Sequence, residues 1–188
     1  MSSSADSLPA TVADDFVAQL AGLAPDGATA ALRAFRGDAT RYTQGSHDAL
    51  FSNDVADLTV RERLHAAWYA ALLSNAEQTA LAYRGRLLAL AAATDAGTAA
   101  TNSLLDAIAE HRAVPIAPIA SRDERLTAIL LHTEALTLRP AATAKPALAT
   151  LRAAGLTTRA IVALSQLVAF VTYQVRVVAV LRALEARA

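Results

Sequence analysis

Thr59-Val60-Arg61-Glu62-Arg63-Leu64-His65-Ala66-Ala67-Trp68-Tyr69-Ala70-Ala71-Leu72-Leu73 carries the first strong helix-start signal in this chain. Thr59 with Glu62 three residues later is a capping box. The hydroxyl and the carboxylate each satisfy a backbone N–H that the first turn of a helix leaves without a partner. No Gly or Pro interrupts the stretch beyond the box, and Ala, the best helix former, recurs through it. Ser74-Asn75 then breaks or caps the run, so the stretch predicts one helix.

On either side of this helix the same alternation of amphipathic runs and caps continues. Downstream, a helix to about Ala93 and another from about Ala99 to Arg112 lead to a proline loop, Val114 to Pro118. Ser121-Arg122-Asp123-Glu124 forms a second capping box and opens a helix towards Leu138. Both boxes continue Glu-Arg-Leu, which admits an internal duplication of helical hairpins, although caps of this kind also recur by chance. Arg139-Pro140 ends that helix. Thr143 caps a short one from Lys145 to Ala154, Gly155 stands where a left-handed C-cap belongs, and Thr157 or Thr158 opens a last helix reaching towards Ala186. Upstream, helices are expected from Ala39 to Phe51 with Gly45 inside, from Ala28 to Phe35 under an Asp26 cap and ending at Gly37, and from Thr11 to Leu23. Residues 1–10 read as a disordered lead-in without the cationic start or apolar stretch of a signal peptide.

Composition agrees with an all-α, single-domain multi-helix bundle over 11–188. The 188 residues include only 7 Gly and 6 Pro. Lys plus Arg and Asp plus Glu number 17 each, so the net charge is zero. No basic excess answers a phosphate backbone or an anionic membrane, so nucleic acid and membrane are not expected partners. With little charge repulsion, association into a homo-oligomer is expected. The last helix is apolar around most of its circumference and long enough to span a bilayer. Gln166, Thr172, Gln174 and Arg176 interrupt it without an aromatic belt, which favours a buried helix in a soluble protein. No signal and no cysteine make the cytoplasm the expected compartment.

The cysteine count of zero excludes thiol catalysis, thiolate zinc and iron–sulfur ligation. The histidines His47, His65, His111 and His132 form no metal-ligand spacing, and no glycine-rich phosphate loop occurs, so neither metal nor cofactor is expected. Glu62 and His65, at i and i+3, share a helix face where a carboxylate could orient an imidazole for acid–base work. The plainer reading is a capping Glu beside a packed His. His132, among Ile129, Leu130 and Leu131, reads as a core or interface histidine, and His111 as a cation complementing a helix end. Tyr69 and Tyr83 pack between helices yet carry hydroxyls able to bind a ligand. The run Tyr42-Thr43-Gln44-Gly45-Ser46-His47-Asp48 is either a helix kink or the wall of a polar site holding His47. Its adjacent Ser, His and Asp point apart and form no triad.

The C-terminal third carries a family resemblance. Ala135-Leu136-Thr137-Leu138-Arg139-Pro140, Leu151-Arg152-Ala153-Ala154-Gly155-Leu156-Thr157 and Ala160-Ile161-Val162-Ala163-Leu164, with Ala169-Phe170 and Arg176 beyond, resemble the carboxymuconolactone decarboxylase and alkylhydroperoxidase D superfamily in its peroxidase-related branch. The helix opened by Thr59 resembles that family's first core helix, and the match spans about residues 40–185. The resemblance implies an all-helical fold and dimers, trimers or hexamers. In redox-active members a Glu precedes a Cys-x-x-Cys and a His that relay protons during peroxide reduction. Glu62 matches that Glu, while Ser74 and Glu77 stand at the cysteine positions and Leu81 at the histidine. Two functions are expected as alternatives. One is an oligomeric binding or structural protein in a stress or catabolic context, paired with a redox-active homologue or binding a small hydrophobic molecule. The other is a non-thiol enzyme using Glu62 and His65 on a small lactone or carboxylate.

Overall fold

A computed structural model of the chain describes residues 12–53, 57–94, 97–110, 123–142 and 145–187. Among them every regular element is helical: α1 Phe16–Ala21, α2 Ala28–Ala34, α3 Gly37–Phe51, α4 Val60–Leu73, α5 Glu77–Ala92, α6 Thr98–Glu110, α7 Glu124–Leu138, α8 Lys145–Ala153 and α9 Thr158–Glu185, with 3-10 turns at Val12–Asp14 and Pro140–Ala142. The all-α fold class expected from composition is what the backbone adopts. The chain groups into two compact units, residues 50–175 and residues 1–49 with 176–188.

In the larger unit α4 is the central element, packed on α5 and α7, while α6 rests on α5 and α8 on α7. Every residue of α4 from Arg63 to Ala71 is buried, so its small alanines let the neighbours approach closely from all sides. The capping box forms as expected: Thr59 Oγ1 accepts from Glu62 N at 3.2 Å, and the Glu62 carboxylate accepts from Thr59 N at 2.7 Å. Ser74 closes the helix, and Asn75 turns the chain in the left-handed region at φ 54°, a conformation its short amide tolerates. Gly155 takes φ 82° after α8, and Thr157 Oγ1 accepts from Ala160 N at 3.2 Å, which selects Thr157 as the cap of α9.

The start of α7 differs from the expected box. Asp123 is the N-cap, its side chain accepting from Leu126 N at 2.9 Å. Aspartate caps as well as serine. Ser121, His111, Arg112, the proline loop and the Thr143 cap lie outside the described residues.

In the smaller unit the expected helix from Thr11 to Leu23 is split. Asp15 is buried and caps α1, accepting from Val17 N at 3.1 Å and Ala18 N at 3.3 Å, because a short carboxylate competes for the backbone N–H groups a continuing helix would use. Gly22, left-handed at φ 68°, ends the helix ahead of Pro25. Asp26 does not cap α2. Gly27 holds that position without a side-chain bond. Asp15 also pairs with Arg33 of α2 through Arg33 Nη2 at 2.9 Å and through Nε.

The 28-residue α9 contains an 18-residue window of mean hydropathy 1.7, long and apolar enough to cross a membrane, and 33% of that window is buried. Gln174 is fully buried in it, whereas Gln166 and Arg176 are exposed.

Candidate functional site

Glu62 lies at the start of α4, beside a cavity of about 410 Å³ walled in part by Asn53, Asp57, Arg63 and Arg125. Its carboxylate is heavily engaged. Besides Thr59 N it accepts from Thr59 Oγ1 at 2.9 Å and from Arg125 Nε of α7 at 2.5 Å. Arg63 is buried and donates to carbonyls, to Leu58 O at 3.1 Å and Leu50 O at 2.6 Å, and burial lowers its pKa.

His65 does not join Glu62. Its Nδ1 stands 2.8 Å from Arg61 O and so carries the ring proton, leaving Nε2 buried with no partner among the described residues. Burial holds the imidazole below its ordinary pKa, against the opposing pull of that backbone bond. The helical spacing does put both residues on α4, but the carboxylate accepts from the Thr59 cap and from Arg125, and no hydrogen bond joins it to the imidazole among the described residues.

The other singled-out residues are dispersed. Tyr69 donates to Glu134 Oε2 of α7 at 3.1 Å, and burial with the neighbouring Glu134 charge pushes its pKa up. Tyr83 donates to Gln174 Oε1 of α9 at 2.8 Å and stacks on Phe51, ring centroids 5.6 Å apart; burial raises its pKa as well. His132 lies 3.0 Å through Nε2 from Ser165 Oγ of α9, and Ser165 spends its own proton on Ile161 O at 2.9 Å. Nε2 therefore carries the hydrogen, and Nδ1 is left buried with no partner among the described residues; burial lowers this pKa. His47 belongs to the smaller unit, where its ring lies 4.5 Å from that of Phe16 and Nδ1 is 3.1 Å from Asp48. Gln44, of the same polar run, accepts from Phe16 N at 2.8 Å, so the run fastens α1 to α3, and α3 passes through Gly45 unbroken.

The positions mapped from the family resemblance separate along α4. Glu62 is in its first turn and Ser74 caps its end, about 18 Å apart by helical rise. Ser74 Oγ donates to Ala70 O at 2.8 Å as part of the helix end. Glu77 opens α5, and Leu81 lies one turn on, 53% exposed.

Glu77 and Leu81 do share a feature with residues of two other helices. They wall a second cavity, of about 390 Å³, with Trp68 and Leu72 of α4 and Ala109 of α6. Ala76 and Ala80 leave it open by their small size, and Arg84 closes one side. Arg84 is tied to α6, its Nη2 donating at 2.6 Å to both Asn102 Oδ1 and Asp106 Oδ1. Sequence reasoning missed this cavity. Its one advance signal is the i, i+4 ladder Ala76, Ala80, Arg84 facing Trp68 and Leu72, and such a ladder also describes ordinary helix packing.

No protein-family model, curated protein or solved structure matches this chain. Among the described residues no group of three His, Asp or Glu side chains gathers where it could hold a metal ion.

Proposed function

We propose that this chain is a ligand-binding helical protein without thiol peroxidase activity: an alkylhydroperoxidase D-like, carboxymuconolactone decarboxylase-like scaffold in which a small hydrophobic molecule occupies the cavity between α4, α5 and α6. The observation that supports this is the cavity itself. It measures about 390 Å³, inside the range of small-molecule sites, roughly 300–1,000 Å³, and its walls are mostly apolar. It lies where Glu77 and Leu81 occupy positions that the resemblance assigns to a cysteine and a histidine.

On this reading the protein is a cytoplasmic homo-oligomer, able to pair with a redox-active homologue. Val162 and Tyr173, 51% and 46% exposed on one face of α9, supply apolar contact surface. The alternative, acid–base catalysis by Glu62 and His65 on a lactone or carboxylate, has less support. Glu62 already serves Thr59 and Arg125, and the His65 ring faces the Arg61 carbonyl.

Trp68 is the sole tryptophan of the sequence, so its emission reports on the cavity. Titration with 1-octanol is expected to change Trp68 emission saturably and to raise the melting temperature, and Ala80→Phe is expected to abolish both responses by filling the space. Unchanged emission and melting in the wild-type protein, or peroxide reduction at the expense of an added thiol by the purified protein alone, would overturn the reading.

A further inference from the structure

Two ionic side chains wall the α4–α5–α6 cavity, and they differ in how their charges are met. The Arg84 guanidinium meets the Asp106 carboxylate at 2.6 Å, and Asn102 Nδ2 braces the same carboxylate at 3.2 Å. The two opposite charges cancel at contact distance, so an incoming anion would have to compete with Asp106. Glu77 is exposed and has neither a hydrogen-bond nor an ion-pair partner among the described residues. The opening turn of α5, where Ala76 provides no side-chain cap, attracts negative charge, and Glu77 in that turn already supplies it. What remains among the polar and aromatic residues of the wall is an unpaired carboxylate, with Asn75 and Trp68 beside it. A carboxylate pairs directly with an ammonium ion, and an aromatic side chain beside it favours a cation over an anion.

Given that the cavity binds a ligand, as proposed above, we infer that the ligand is an amphiphilic cation. Its alkyl or aryl body lies against Leu72, Ala80 and Ala109, and its ammonium pairs with Glu77. The apolar walls provide affinity and Glu77 provides the choice between head groups, because an anionic head group would meet like charge at Glu77 and an occupied Arg84.

Octylammonium, octanoate and 1-octanol have matched tails and differ in the head group. Each is titrated into the full-length protein at low salt and pH 7, with binding read by Trp68 emission and calorimetry. Octylammonium is expected to bind about two- to fivefold more tightly than 1-octanol, the size of one exposed ion pair, and octanoate more weakly than either. The margin shrinks as salt is raised, and Glu77→Gln, an exposed substitution, erases it. Octanoate binding as tightly as octylammonium, no margin over 1-octanol, or a margin that survives Glu77→Gln overturns the assignment of the ligand class. Failure of all three to bind saturably overturns the binding reading itself.

Discussion

Glu62 has three partners within hydrogen-bond distance: Thr59 N, Thr59 Oγ1 and Arg125 Nε. A carboxylate so engaged is held in place for structure, and its partners set what replacing them costs. Thr59→Ala removes the hydroxyl that accepts from Glu62 N and is expected to lower unfolding free energy by about 1 kcal/mol, read from urea denaturation, with Thr59→Ser recovering most of it. The two buried imidazoles have a different consequence. Burial lowers the pKa of both His65 and His132 in the folded state, so between those values and the unfolded value of about 6.5 the unfolded chain binds more protons. The stability these two imidazoles contribute is therefore fully present above about pH 7 and is lost as pH drops through about 6.5. Urea midpoints measured between mildly alkaline and mildly acidic pH should show that fall. His132→Leu, which removes one titrating group while Ser165 keeps its bond to Ile161 O, should flatten it. A slope unchanged by the substitution would count against His132 as a source.

Tyr83 and Gln174 join α5 to α9 through one bond in the interior, and the Gln174 Nε2 beside it has no partner among the described residues. Tyr83→Phe leaves Gln174 Oε1 without its donor and is expected to cost about 1–3 kcal/mol. Adding Gln174→Leu removes the stranded amide, so the double variant should be less destabilised than the sum of the single ones, which a double-mutant cycle measures. α8 ends on Gly155 at φ 82°, where a side chain would be strained; Gly155→Ala is expected to lower stability by about 1 kcal/mol without altering the helix content seen by circular dichroism. These helix ends were legible because a cap is settled by residues within a few positions of one another. The split of the first helix at Asp15 was not: adjacent Asp14 and Asp15 offer equivalent local caps, and it is Arg33, eighteen residues away, that holds the Asp15 carboxylate.

The chain as a whole carries no net charge, and its sequence pI is about 6.9. Little repulsion opposes association near neutral pH. The proposed homo-oligomer is expected to be largest near its pI. Lysine at both Val162 and Tyr173, about three turns apart along one face of α9, should reduce its sedimentation coefficient. A monomer in both proteins would remove that part of the proposal.

The helical class, the cap at Thr59, the left-handed Gly155 and the lack of any cysteine could all be read from the residues alone, because each depends on composition or on neighbours within one turn of each other. Which polar groups meet could not, since that is a matter of how distant helices pack. Glu62 and His65 share a helix face, yet Arg125, 63 residues away, draws the carboxylate to itself. The cavity depends on packing for the same reason. Trp68, Glu77, Arg84 and Ala109 belong to three helices, and no local rule of spacing reports that small side chains at Ala76 and Ala80 leave the space between them unfilled.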